Sequence, residues 1–397
     1  MEPAYTSTKP SNSCFRKWPI LWPMLISSGG EESYQTEDEQ ANAVDTISSP
    51  RADQAVEKMS LRRKLPSIVD IKKCIPPSCF KSSTPLSVYY MIRDFLIIVF
   101  LYILIEMTWQ HLPYAVQLLV TPAYWLLQGT MLMAVFVVGH DAGHGSFSTS
   151  EMVNTICGNI CHTIVCCPYY MWKLSHRNHH KHTGNIDKDE VFYPVREKDN
   201  THTHMAPGFG LGIGWFLYLA HGYRHRVVQH FNPLDPMFHS HVINCTISLG
   251  CLICWWMLLA RATESCGWTA LCYHYLLPEL IFGTYLVIIT FLHHHSEGVP
   301  WYGDSVWNNV RGQLSTVDRS YGWCHYLIHN IGTHQIHHLF PKIPHYHLEA
   351  ATESFRKAYP ELVVVRNENI LMAFYRMFQK FDRQSNIADN TLVHVYQ

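Results

Sequence analysis

LQGTMLMAVFVVGHDAGH, residues 127 to 144, is an uncharged apolar run as far as Gly139 and then presents two histidines four positions apart. It is the clearest part of a run over residues 116 to 139, long enough to cross a hydrocarbon layer as a helix. If that helix continues past the lipid edge, His140 and His144 share one of its faces, because residues four apart lie one above the other. The stretch therefore reads as a membrane span that delivers a pair of imidazoles at its end. Three more runs share the texture: FLIIVFLYILIEMTW (95 to 109), VINCTISLGCLICWWMLLA (242 to 260) and YHYLLPELIFGTYLVIITFL (273 to 292). The expected architecture is an all-α integral membrane protein with four transmembrane helices at about 94–110, 117–139, 241–260 and 273–292, the first borrowing flanking residues. Residues 152 to 171 and 205 to 220 are apolar but broken by Gly, Pro or His, and read as interfacial or re-entrant helices, with six spans as the alternative.

Lysine and arginine orient these spans. Residues 51 to 93 hold nine of them, the link 110 to 115 none, and the link 261 to 272 only Arg261. By the positive-inside rule both termini are cytosolic, together with residues 140 to 240 and everything after 293. Three regions follow: a polar, basic cytosolic N-terminal region over 1–88, disordered over its first 50 residues; a membrane-embedded body over 89–380; and a C-terminal tail over 381–397. No charged segment followed by a signal-type apolar core opens the chain, so no cleaved secretory peptide is expected. The net charge of −1, from 30 basic and 31 acidic side chains, offers no field or basic stripe for nucleic acid. Thirteen scattered cysteines make no disulfide framework, and the C-x-x-C at Cys251 and Cys254 lacks a second pair and sits in an apolar run, so both read as small buried side chains.

Histidine is the compositional outlier, at 27 residues. Beyond HDAGH there are two more clusters: HRNHH, with His176, His179 and His180, and HQIHH, with His334, His337 and His338. Spacings of three and four put each set on one helix face. All three clusters fall on the predicted cytosolic side, which points to a helical cap carrying metal ligands rather than to wet-tipped rings scattered at an interface. Eight neutral imidazoles exceed the four ligands of a closed zinc site, so two metal ions are implied. Imidazole suits zinc, copper, iron and nickel alike, and no cysteine accompanies the clusters to select a softer ion. His182, two positions past His180, lies across the helix and outside the ligand set.

With their flanks, GHDAGHGSFS, SHRNHHKHTGNIDKDE and IGTHQIHHLFPKIPHYHLEA, these clusters resemble those of the membrane fatty acid desaturases, more narrowly the methyl-end (omega) branch of plants and invertebrates. VPWY (299 to 302) and TVDRSYG (316 to 322) add to a resemblance that covers roughly residues 85 to 380. It implies an oxygen-dependent enzyme with two iron ions (Fe2+) that removes two hydrogens from an unactivated acyl chain. The ligands it implies are His140, His144, His176, His179, His180, His334, His337 and His338, joined by His294 from TFLHHH at the end of the fourth span, with no role for His293 or His295. The family often has HHDIG before its third box; IHNIG keeps His329 but has Asn330 for the acid, so His329 stands as a candidate to support the ligands.

Drawing hydrogen from such a methylene is beyond side-chain acid/base chemistry, so the metal must carry the oxidant while the protein fixes the chain. Asp141, Asp189, Glu190 and Asp318, beside the boxes, are candidates to hold ligand tautomers by accepting the second ring N–H. A tunnel between spans two and four is expected to take the acyl chain, supplied as acyl lipid or acyl-CoA. No HPGG-type haem motif occurs in either tail, so electrons are expected from a separate cytochrome b5 with its reductase, or from a ferredoxin-type donor. Lys173, Arg177 and Lys181 would form the docking face. The flanks look closer to omega-3 than to delta-12 members, which predicts an endoplasmic-reticulum enzyme turning n-6 chains into n-3 products. A delta-12 desaturase or a hydroxylase on the same scaffold is the nearest alternative. A histidine-rich metal transporter would need ligands near the bilayer midplane, where these spans carry almost none.

Overall fold

The computed structural model describes residues 64–200, 207–223 and 225–397, so most of the stretch read as a disordered N-terminal region lies outside the described residues. Four helices are long and apolar enough to cross a membrane: Thr84–His111, Tyr114–His144, Pro236–Cys266 and Trp268–His294. Each is longer than its apolar run, because polar flanks at both ends keep helical geometry where the apolar composition stops.

The described order is α1 (Ile68–Cys74), α2 (Thr84–Thr108), α3 (Tyr114–His144), α4 (Glu151–Ile164), α5 (Tyr169–His182), α6 (Gly212–His221), α7 (Val242–Cys266) and α8 (Trp268–His294, with a π turn at Cys272–Leu276). After α8 come α9 (Asn309–Gln313), α10 (His334–Leu339), α11 (Leu348–Ala358) and α12 (Ile370–Gln384). Three two-stranded ladders hold the part beyond α8, one by joining it to the segment after α5: Val195–Arg196 with Asn386–Ile387, Pro300–Tyr302 with Val393–Val395, and Asp318–Arg319 with Val365–Arg366.

The four long helices differ in burial. α3 is enclosed almost all round from Gln128 to Ala142, and α8 packs along it, while α2 and α7 expose Leu96, Phe100, Met107, Ile243, Met257 and Leu258. The short α4 and α6, at 14 and 10 residues, lie against this frame and are too short to span. α4 turns Met152, Ile156 and Ile160, at spacing four, outward as one apolar stripe. α6 lies close on α8 because Gly212 has no side chain: a Cβ there would stand 2.1 Å from the Leu280 carbonyl oxygen.

Order begins earlier than the composition suggests. Ser67 caps α1 by accepting the Asp70 N–H, and Ile71, Ile75 and Cys79 are buried with Ile336, Leu339 and Phe355 around α10. The apolar residues that anchor this segment are spaced four apart but are too few to form a periodic signal, and only Ile71 lies inside the seven-residue helix. The last residues are likewise packed, with Tyr396 fully buried against Phe381 and His295.

Candidate metal centre

Four helix ends bring the histidines together. α3 runs unbroken through His140 and His144 and stops at Gly145, whose φ of 71° suits glycine. α5 supplies His176, His179 and His180, α8 supplies His294 in its last turn, and the six-residue α10 supplies His334, His337 and His338. Asp318 fastens the start of α10 by accepting the Gln335 N–H at 2.8 Å, its other oxygen held by Arg356 at 2.8 Å.

The rings form two groups. In one, nitrogens of His140, His144, His176, His180 and His337 all lie within 4.8 Å of one another; in the other, those of His179, His294 and His338 do. His334 adjoins the second group, its Nε2 3.3 Å from His294 Nε2. Each box on α5 and α10 is thus divided, which spacing alone did not reveal. Residues four apart on a helix differ by about 40° around its axis, whereas neighbours differ by about 100°. His176 and His180 therefore aim together while His179 aims past them, and His334 and His338 aim together while His337 crosses to the first group.

Ring hydrogen bonds set the tautomers. His179 Nδ1 donates to Asp189 Oδ1 at 2.6 Å, and that carboxylate also accepts the Gly184 and Glu190 N–H groups. Burial opposes charge on His179, Asp189 favours it, and the carboxylate prevails, so this imidazole is more basic than usual. His338 Nδ1 is 3.1 Å from both Gln313 Oε1 and Thr183 Oγ1. Thr183 gives its own hydrogen to the His179 carbonyl and the Gln313 amide donates to the His180 carbonyl, so His338 Nδ1 must be the donor. Its Nε2 then carries a lone pair, is buried, and has no hydrogen-bond partner. Burial, reinforced by the neighbouring imidazoles, holds His176, His180, His334, His337 and His338 well below the usual histidine range. Neutral rings with converging lone pairs fit first-row divalent metals at both groups.

The five candidates for supporting the ligands separate. Asp189 alone accepts a ring N–H from a clustered histidine. Asp141 Oδ2 accepts instead from His345, through both its N–H and its Nδ1, at 2.9 Å each, and its Oδ1 stands 3.8 Å from His140 Nδ1. Glu190 accepts from Ser175 at 2.7 Å and from Asn178, and burial lifts its carboxyl to about 7. Asp318 holds the backbone of α10, and His329 lies 2.6 Å from Asp94 on α2. Box proximity in sequence located these acids, but which atom each faces depends on how the loops return. Gln313, Thr183 and His345 were missed, since none lies in a histidine box; the position of Thr183 four residues after His179, at a helix end, was the only local signal.

The neighbours of the ligand set resolve as well. His293 stacks on His334 with ring centres 4.1 Å apart and bonds Val317 and Tyr321, His295 stacks on Phe291, and His182 stays outside both groups. Lys173 is buried, donates to Glu151 at 2.5 Å and lies over Tyr170, so it offers no docking charge, whereas Arg177 and Lys181 are exposed.

An apolar cavity of about 360 Å³ ends on both groups. Met133, Phe136 and Val137 of α3 and Leu286 and Val287 of α8 form its walls, as expected for spans two and four, and α6 adds Trp215 and Tyr218. His140 and His176 of the first group and His179, His294, His334 and His338 of the second close one end.

The sequence model of the fatty acid desaturase family matches residues 118–369. An sn-1 acyl-lipid omega-3 desaturase (ferredoxin) of Nostoc sp. is 38% identical over 302 residues, covering 74% of this chain and 81% of that protein. Its Synechocystis sp. counterpart of the same name is 35% identical over 320 residues, 79% of this chain and 86% of that one. An omega-3 fatty acid desaturase, endoplasmic reticulum, of Vigna radiata is 38% identical over 301 residues, 72% of this chain and 76% of that one.

Proposed function

The chain belongs to the fatty acid desaturase family, and on that premise we propose that it inserts an omega-3 cis double bond into n-6 unsaturated acyl chains. The observation that carries this reading is the apolar cavity ending on both histidine groups. The names of its relatives support the omega-3 position.

His140, His144, His176, His180 and His337 hold one iron, and His179, His294, His334 and His338 the other. Bound there, with O2 and two electrons from outside, the irons supply the oxidising power that an unactivated methylene requires. The protein does the rest. Asp189 and Gln313 keep His179 and His338 in the tautomer whose Nε2 faces the metal. Phe136, Trp215, Leu286 and Val287 hold the acyl chain and exclude water. Met133 lies seven residues before His140 on α3, so the cavity reaches about 10 Å past the histidines along that helix.

The exposed apolar flanks of α2 and α7 fit lipid, and the basic residues before α2 support a reading in which both termini and the metal centre lie on the cytosolic side of the endoplasmic reticulum membrane. A cytochrome b5 or ferredoxin-type donor meets the face that carries Arg177 and Lys181. Yeast expressing the chain and fed linoleate or a longer n-6 acid should accumulate the matching n-3 acid, and the His179→Ala and His337→Ala variants should not. Good protein levels with no n-3 product would sink the omega-3 assignment.

A further inference from the structure

A second string of buried titratable groups runs beside the metal centre without entering it. Asp94, fully buried on α2, faces His329 Nε2 at 2.6 Å; the His329 and His345 ring centres are 4.2 Å apart; and His345 faces Asp141. His329 keeps its place with φ at 57°, in the left-handed region that non-glycine residues rarely adopt. Such a conformation persists only where surroundings over-determine it.

The Asp141 end of this string shows its use. His345 gives Asp141 Oδ2 two hydrogen bonds, from the main-chain N–H and from Nδ1, which fixes the carboxylate as a clamp fixes a plate. The other oxygen is left 3.8 Å from His140 Nδ1, a buried nitrogen with no hydrogen-bond partner. Asp141 follows His140 directly in α3, so a free carboxylate would swing with its own rotamers; held by His345, it stays beside the His140 ring. A carboxylate near the distal nitrogen of a ligating imidazole orients the ring and raises its basicity.

We propose that His345 is a positioning residue for His140, acting through Asp141, so that the five-histidine group holds its iron. The proposal rests on the reading of His140 as a ligand. His345 touches neither the metal position nor the cavity, and its partners on the far side, Tyr90 at 4.7 Å and His329, anchor it to α2 and to the loop before α10.

The test is iron per chain in detergent-purified full-length protein, measured beside its unfolding temperature. His345→Leu fills the site with an apolar side chain, keeps the main-chain N–H bond to Asp141 but loses the Nδ1 donor, and should lower iron from about two per chain to about one. His345→Asn places an amide donor where Nδ1 stood and should restore nearly two. Should His345→Leu fail to fold, Asp141→Asn, which keeps an oxygen for His345 but removes the charge beside His140, should give the same loss of one iron. Two irons in His345→Leu, or in Asp141→Asn, would overturn the proposal, as would equal depletion in His345→Leu and His345→Asn, which would mark the ring's packing as its role. His140→Ala separates the two layers: if it too retains two irons, the ligand reading has failed, and if it alone loses one, only the positioning role has.

Discussion

At the residue scale, the hydrogen bonds to the distal ring nitrogens distinguish the histidines. Asp189 accepts a hydrogen bond from His179 Nδ1 at 2.6 Å and raises that ring's basicity, so Asp189→Asn should weaken iron binding by about 10- to 100-fold. Iron retained against a graded chelator series would measure it, and an unchanged curve would remove Asp189 from the site. That the histidines of the three boxes would be drawn into clusters was legible in the sequence, because HxxxH and HxxHH spacings survive without knowledge of tertiary structure. The partition was not, since it turns on the 100° step between His179 and His180 and on which loop returns to face each side. For the same reason the sequence could not show which atoms Asp141, Glu190 and Asp318 face: their hydrogen bonds go to His345, to Ser175 with Asn178, and to the α10 backbone.

At the scale of elements, the long helices could be read from hydropathy because a span is nearly independent of what it packs against. The shorter helix read within 205 to 220 is α6, but its seat on α8 was not legible, since Gly212–His221 is short and owes its place to one close approach. A side chain at Gly212 must displace the Leu280 carbonyl, so Gly212→Val should destabilise the protein by about 1–3 kcal/mol and part α6 from α8. A lowered unfolding temperature, with loss of product exceeding loss of protein, is the expected result; a variant matching the parent in both would show that α6 does not shape the cavity. α1 was missed because it is only seven residues long: of the anchors Ile71, Ile75 and Cys79, spaced four apart, only Ile71 lies inside it, and the helix gains its stability from packing on α10 and α11.

At the scale of the whole molecule, one end of the bundle gathers all nine histidines, while the far end of α8 holds only His274, 3.0 Å from Tyr124 and 3.2 Å from Glu106. That polarity, with the basic residues before α2, predicts that tags at both termini are reached by antibody when only the plasma membrane is permeabilised; a terminus visible only after the endoplasmic reticulum is opened would reverse the orientation. If two different groups of rings, cut from the same boxes, each hold an iron, removing one ring from each group should remove both irons. Iron per purified chain tests it most directly, in the parent, in His179→Ala, in His180→Ala and in the double variant. Iron should be about two in the parent, about one in each single variant and none in the double variant. A double variant that still holds one iron would place His179 and His180 on the same metal and contradict it.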